Sequence, residues 1–304
     1  MKVILVLMST YNGEKYLAQQ VDSIIGQEGV QVRLLVRDDG SKDGTCDILK
    51  TYADEGKLDY VCGDNINWMH SFWKLVNMAH GADYYAFADQ DDIWFPDKLA
   101  RAVSVLEKYG KTPAIYSAQQ SIVDDNLNVL HLNEQKVDCT NFLKRDYLVW
   151  DNLFRGCTEV WNNALQEYVL SKHIADIDEP HDAFLMHLAL AVGEVVKDNH
   201  EVMAYRQHGN NAVGFYSGFK KLSHRVRFIV KNLRGEGECK KPNSVRLKKI
   251  YDIVRTDLPK EMIPYYEQVC NYDCSVRNTL SLALSRDYPH ITKKKRIQIL
   301  LRKF

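Results

Sequence analysis

The sequence predicts an α/β fold, a sheet covered by helices, and three observations carry that prediction. Through the first hundred residues, short apolar runs alternate with stretches of helical periodicity. Polar clusters at residues 9–14, 38–43 and 89–92 each directly follow an apolar run. The chain has 304 residues, 45% of them apolar and 26% charged. That suffices for one large or two small domains with a real core, and excludes a peptide, a coiled coil or a disordered tail.

Val3 to Met8 reads as a buried strand. After the turn Ser9-Thr10-Tyr11-Asn12-Gly13, the residues Leu17, Val21, Ile24 and Ile25 fall at i, i+4, i+7 and i+8, a helix that packs on that strand. Val32 to Val36 is the second strand, ending in Asp38-Asp39-Gly40-Ser41-Lys42-Asp43-Gly44. Thr45 there can cap a helix to Tyr52. Leu58 to Val61 is a third strand, Ser71 to Ala79 a helix, and Tyr84 to Ala88 a fourth strand entering Asp89-Gln90-Asp91-Asp92. A helix follows from near Pro96, with Leu99, Ala102, Val103 and Leu106 inward. Ligands of open parallel sheets gather beyond the carboxyl ends of the strands, so the three polar clusters should converge on one crevice. Residues 114–215 look mixed, with strands at Ala114 to Ser117 and Val202 to Arg206 and a helix from His181 to Val192. Beyond Gly218 the pattern is helical and basic, broken near Gly235 and Gly237.

The zero net charge hides an asymmetry. Residues 1–215 hold 19 Lys and Arg against 32 Asp and Glu, a charge of −13, and residues 216–304 hold 21 against 8, or +13. An acidic front calls for metal ions. A basic rear suits an anionic partner, such as a membrane surface, a phosphate-bearing substrate or nucleic acid, or is simply a solvated helical face. The aliphatic run Val3 to Met8 is far shorter than a membrane span, and seven cysteines without a CxxC pair read as reduced thiols of a cytoplasmic protein.

Three carboxylates within Asp89-Gln90-Asp91-Asp92 at a strand end repel one another unless a cation neutralises them; Mg²⁺ or Mn²⁺ bridging to phosphates is the simplest remedy. An ordinary acidic capping turn is the plainer reading, countered by the strand before it and by Tyr84, Tyr85, Phe87 and Trp94 as expected aromatic walls. The run from Asp38 to Gly44 imitates a calcium loop, but its twelfth position would be Lys50 where a bidentate Glu is needed. Asp39 instead suits a strand-end acceptor for a ring N–H of a pyrimidine base.

With Ser9-Thr10-Tyr11-Asn12-Gly13, Asp38-Asp39-Gly40-Ser41, Asp89-Gln90-Asp91-Asp92-Ile93-Trp94, His181-Asp182 and Tyr205-Arg206-Gln207-His208-Gly209-Asn210-Asn211 in this order, residues 1–215 resemble a family-two inverting glycosyltransferase of the GT-A fold. The third and last motifs are similar to the bacterial rhamnosyltransferase branch. The resemblance implies a Rossmann-like nucleotide-binding sheet in a catalytic domain of 1–215, whose halves 1–105 and 106–215 bind nucleotide sugar and acceptor, followed by a basic helical extension of 216–304. It implies a donor of dTDP-β-L-rhamnose or a UDP-sugar and a lipid-linked or polysaccharide acceptor. Thr10, Tyr11, Glu14, Asp39 and Asp89 would border the nucleotide, Asp91 and His208 would hold the metal, and Asn152, Gly156 and His181 would stand on the acceptor side. Asp182 would be the general base of a single displacement. His181 departs from the family, which usually has Glu before that Asp, and Asn67 stands where relatives often have Gly. Cys157 is expected as a packing residue, since a single inverting displacement needs no covalent intermediate.

Two other classes compete. A nucleotidyltransferase would show a basic, glycine-rich phosphate loop after its first strand, and Ser9 to Gly13 has no basic residue. A nucleic-acid-binding module would draw only on the basic rear, and binding to nucleic acid is not expected. In that rear, Lys293-Lys294-Lys295-Arg296 precedes Ile297, Leu300, Leu301 and Phe304 at i, i+3, i+4 and i+7, the two elements of a peripheral anchor on the anionic inner face of the cell membrane. Packing on the catalytic domain, or on a second subunit in a homodimer, is the alternative use of that stripe.

Overall fold

The computed structural model describes residues 1–130, 139, 141–150, 153–174, 177–209 and 243–300. Eight strands form one mixed sheet, in the order β3-β2-β1-β4-β7-β6-β8-β5. The first half follows the sequence closely: β1 (Val3–Thr10), α1 (Leu17–Ile25), β2 (Gln31–Asp38), α2 (Thr45–Asp54), β3 (Asp59–Cys62), α3 (Trp68–Met78) and β4 (Tyr84–Ala88). β1 pairs in parallel with β2 and β4, and β2 with β3. The three polar clusters therefore do emerge at one edge. Thr45 is the first residue of α2 rather than its cap: Gly44 holds the capping position, and Asp43 accepts from the Thr45 N–H.

The second half is mixed, as its sequence suggests. After β5 (Ile93–Trp94), α4 (Lys98–Leu106), β6 (Ala114–Val123), α5 (Lys144–Tyr147), β7 (Val160–Asn162), α6 (Asn163–Ser171) and α7 (His181–Val192) comes β8 (Glu194–Arg206). β7 lies antiparallel between β4 and β6, and β5 lies antiparallel to β8. Strands of two or three residues carry too few side chains to show alternation. β6 and β8 run well past the short strands expected of them; their pairing shifts register around Gln119, which interrupts the period of two.

Alternation along β1 sends Ile4, Val6 and Met8 to one face of the sheet, under α1, α2 and α4, and Leu5 and Leu7 to the other. That second face carries α3, α6 and α7, and the helices α8 (Asn243–Val254), α9 (Ile263–Cys270), α10 (Val276–Leu284) and α11 (Lys293–Leu300) contribute to the same core. α7 is apolar all round and is buried along nearly its whole length, as such a composition demands. The Tyr266 hydroxyl on α9 donates to the His187 carbonyl of α7 at 3.2 Å. Gly218, Gly235, Gly237, Leu301 and Phe304 lie outside the described residues. No helix among the described residues is long and apolar enough to cross a membrane.

Candidate active site

At the carboxyl edge of β1, β2 and β4 the chain encloses a cavity of about 410 Å³. Thr10 and Tyr11 from the end of β1, Asp39 after β2, Asp89 and Asp91 after β4, Gly156, and His181 and Asp182 at the start of α7 all line it. Side chains stitch the loops together. Tyr11 N–H donates to Gln90 Oε1 at 2.8 Å while Gln90 Nε2 donates to the Tyr11 carbonyl at 3.1 Å. Asn12 and Ser41 join the first loop to the second. A Cβ on Gly13 would stand 2.4 Å from Gln90 Oε1, so only glycine permits this closure.

The two carboxylates after β2 separate by task. Asp38 is consumed internally, accepting from Thr10 Oγ1 and from the Gly40 and Ser41 N–H groups. Asp39 faces the cavity and is held through one oxygen by Arg37 Nη1 at 2.5 Å and the Ile66 N–H at 3.0 Å. Arg37 itself is buried and donates also to Ser71 Oγ and the Asp64 carbonyl. No sequence motif marks it, although it stands at the end of β2, two residues before Asp39, where its side chain can reach that carboxylate.

In the acidic turn, burial and the neighbouring carboxylates of Asp91 and Asp182 push the Asp89 pKa up to about 7. Asp92 is fully buried, its carboxyl pushed up by burial and by Asp91 and Asp89, and its Oδ2 has no hydrogen-bond partner. Arg206 buckles the turn, donating its N–H to Asp92 Oδ1 and its Nε to the Asp91 carbonyl. Asp91 Oδ2 lies 2.7 Å from His208 Nε2, and the His208 ring stacks on Tyr16 at 4.9 Å. Asp89 and Asp91 line the cavity together, and Asp91 is paired with His208, which stands just behind the lining; this carboxylate–imidazole set fits a hard divalent cation that Asp91 and His208 would hold. Asp89, Asp92 and Cys157 also approach one another closely, but burial pushes the Cys157 thiol well up and keeps it protonated, and Asp92 does not line the cavity. Cys157 is a packing residue, as expected.

Asp182 is half-buried, and its Oδ2 accepts from the Gly156 N–H at 3.3 Å. His181 is stacked on Phe72 at 4.0 Å and edge-on to Phe87 and Trp68; burial lowers its pKa to about 4, so it is neutral at physiological pH. A Cβ on Gly156 would come within 2.8 Å of His181 Nε2.

Two expectations are corrected. Glu14 does not line the cavity; its carboxylate accepts from the Gly44 N–H, because the start of α2 presents the nearest free donor. Tyr84, Tyr85, Phe87 and Trp94 are not the walls, since strand alternation sends them into the two cores instead. The walls are Trp68, Phe72 and Phe154, with Arg155 among them, none singled out by a sequence motif, and Tyr205, which opens the last of the motifs. Asn152 lies outside the described residues, as do Asn210 and Asn211.

Residues 5–168, more than half of the chain, match the family model described as Glycosyl transferase family 2. The chain belongs to glycosyltransferase family 2. Among curated family members it is similar to a dTDP-rhamnosyl transferase, RfbG, of Shigella flexneri, 29% identical over 73% of this chain and 78% of the relative. It is also 25% identical to an uncharacterized glycosyltransferase of Rickettsia typhi, over 75% of each. Solved structures with the same fold include residues 1–349 of TarS from S. aureus, with TM-score 0.56 and 16% identity over 99% of this chain and 81% of that one. Another is the mannosyltransferase PcManGT of Pyrobaculum calidifontis in complex with GDP-Man and Mn²⁺, with TM-score 0.50 and 16% identity over 99% and 86%. The fold of this family-2 glycosyltransferase is GT-A, with a helical C-terminal part.

Proposed function

We propose that this family-2 glycosyltransferase is an inverting, metal-dependent rhamnosyltransferase. In this reading it moves L-rhamnose from dTDP-β-L-rhamnose to a hydroxyl of a lipid-linked or polysaccharide acceptor in cell-surface glycan synthesis. The observation that carries the reading is the convergence of Asp39 and Asp91, from two separate strand ends, and Asp182, from the start of α7, on one cavity. The Shigella relative supports the donor. Catalysis belongs to residues 1–215 in this reading, with donor in the 1–105 half and acceptor in the 106–215 half; residues 216–304 are the basic extension.

Thr10 and Tyr11 border the nucleotide, and the Asp39 carboxylate accepts a ring N–H of the thymine base. Asp91 and His208 would hold Mg²⁺ or Mn²⁺, which would supply counter-charge to the diphosphate leaving group. Asp182 takes the proton of the acceptor hydroxyl as its oxygen attacks the anomeric carbon. The bond from that carbon to the diphosphate breaks on the opposite face, and its electron pair leaves with the phosphate oxygen. Neutral His181, stacked on Phe72, lends Asp182 no positive charge, and the aromatic walls suit the apolar face of a hexose.

Release of nucleoside diphosphate, measured with dTDP-rhamnose, UDP-glucose, UDP-galactose and UDP-N-acetylhexosamines with and without chelator, tests the proposal. Turnover is expected with dTDP-rhamnose alone, and only with divalent metal. Preference for a UDP-sugar would overturn the rhamnose assignment, and full turnover in chelator would overturn the metal.

A further inference from the structure

The last two described helices, α10 and α11, hold an outer apolar face that the fold does not use. Val276, Leu280 and Leu284 fall at i, i+4 and i+8 on α10 and are 68%, 44% and 69% exposed. Ile297 and Leu300 on α11 are 56% and 42% exposed. These are five of the thirteen large hydrophobics exposed among the described residues, concentrated in 25 positions, so the exposure is not the ordinary scatter of a surface. The helices' other faces already serve the fold: Thr279, Leu282 and Ala283 on α10 and Ile299 on α11 are buried. Arg296 ties the pair together, donating to the Ala283 and Ser285 carbonyls.

Around this face the charge is of one sign. Residues 275–304 contain eight Lys and Arg against one acid, Asp287. The basic run of α11 is divided: Lys293 and Lys294 are exposed, whereas Lys295 is buried with its Nζ 5.5 Å from the Trp150 ring centre. Arg277 beside Val276 and Arg286 after Leu284 are exposed as well.

We propose that the outer face of α10 and α11 docks on an anionic phospholipid surface. The aliphatic side chains would enter the acyl boundary and Arg277, Arg286, Lys293 and Lys294 would meet headgroup phosphates. Aliphatic and cationic groups side by side are what an anionic bilayer binds. The same charge repels a second copy of the face, and five aliphatic side chains offer nothing for bases to stack on. The inference deepens the reading of a membrane-borne acceptor, and its test needs neither donor nor acceptor, so the two fail separately.

The full chain is co-sedimented with phosphatidylcholine vesicles with and without phosphatidylglycerol, across a salt series. Binding is expected to the anionic vesicles only and to weaken as salt rises. The doubly substituted Leu284→Asp/Ile297→Asp and Lys293→Glu/Lys294→Glu proteins should each lose about tenfold or more in binding. All four sites are exposed, so both variants should keep the parent's circular dichroism and nucleoside diphosphate release. No binding to anionic vesicles at low salt overturns the proposal. Undiminished binding by the Leu284→Asp/Ile297→Asp protein overturns it too, leaving charge adsorption only. A dimer in sedimentation velocity that this variant dissolves would assign the face to a second copy instead.

Discussion

Asn67 has φ 71° and ψ 158°, a backbone conformation that suits glycine, and its side-chain oxygen accepts from the Met69 and His70 N–H groups as the cap of α3. The cap offsets the strain, which is how Asn survives beside the cavity. Asn67→Gly exchanges strain relief against cap and chain entropy and should stay within about 1 kcal/mol of the parent in urea unfolding. Asn67→Ala keeps the strain, loses the cap and should cost about 1–2 kcal/mol. Asp91→Ala should abolish metal-dependent donor binding in calorimetry, since Asp91 and His208 stand 2.7 Å apart as a pair. Asp182→Asn should leave donor affinity intact and lower kcat by a factor on the order of 10² or more; an unchanged kcat with weakened donor binding would make Asp182 a binding group instead. Thr10, Tyr11, Asp39, Asp91 and Asp182 were legible as strand-end or helix-start polar groups. Trp68 and Phe154 were not, because no local pattern marks a side chain whose importance arises from a distant neighbour.

At the scale of elements, α7 carries His181 and Asp182 on a helix held between the sheet and α8. The residue before its cap is gripped by the same α8 and by α3. Glu179 is buried, accepts from Lys249 Nζ at 2.7 Å and Arg246 Nε at 3.2 Å on α8, and its carbonyl accepts from Trp73 Nε1 on α3. This grip fixes where Asp182 enters the cavity and leaves the loops around Asp39 untouched. Glu179→Gln should therefore lower kcat several-fold with donor KM unchanged in steady-state kinetics, and a rise in donor KM of the same size would show general loosening. The helix from His181 to about Val192 is legible in the sequence because its apolar run is long; β5 and β7 are not, because theirs are too short. The role of α8 was invisible, since the ion pairs join residues about 70 positions apart.

For the whole molecule, burial of ionisable groups makes stability depend on pH. The folded-state pKa of His181, about 4, lies below its unfolded value of 6.5. The unfolded chain thus binds the proton more tightly. Nothing is lost above pH 6.5, and stability falls as pH drops from 6.5 toward 4, by a few kcal/mol in full. His181→Gln should flatten this decline in urea unfolding followed at pH 7 and near pH 4.5. Asp89, raised to about 7, acts in the opposite sense, gaining stability as pH falls, but it does so in both proteins and cancels in the comparison.

Periodicity along the chain was sufficient for the α/β class, the first four strands, the buried α7 and the polar clusters at the strand ends, because each is written in side chains close in sequence. The family-2 reading rests instead on the resemblance of five short motifs, which are equally local in sequence. Tertiary structure alone decided that β7 runs antiparallel between β4 and β6, that Asp38 is spent on backbone while Asp39 faces the cavity, and that Lys295 turns inward while Ile297 turns out. In each case the residue type permits both outcomes. Which one is realised depends on packing and hydrogen-bond partners brought from elsewhere in the chain.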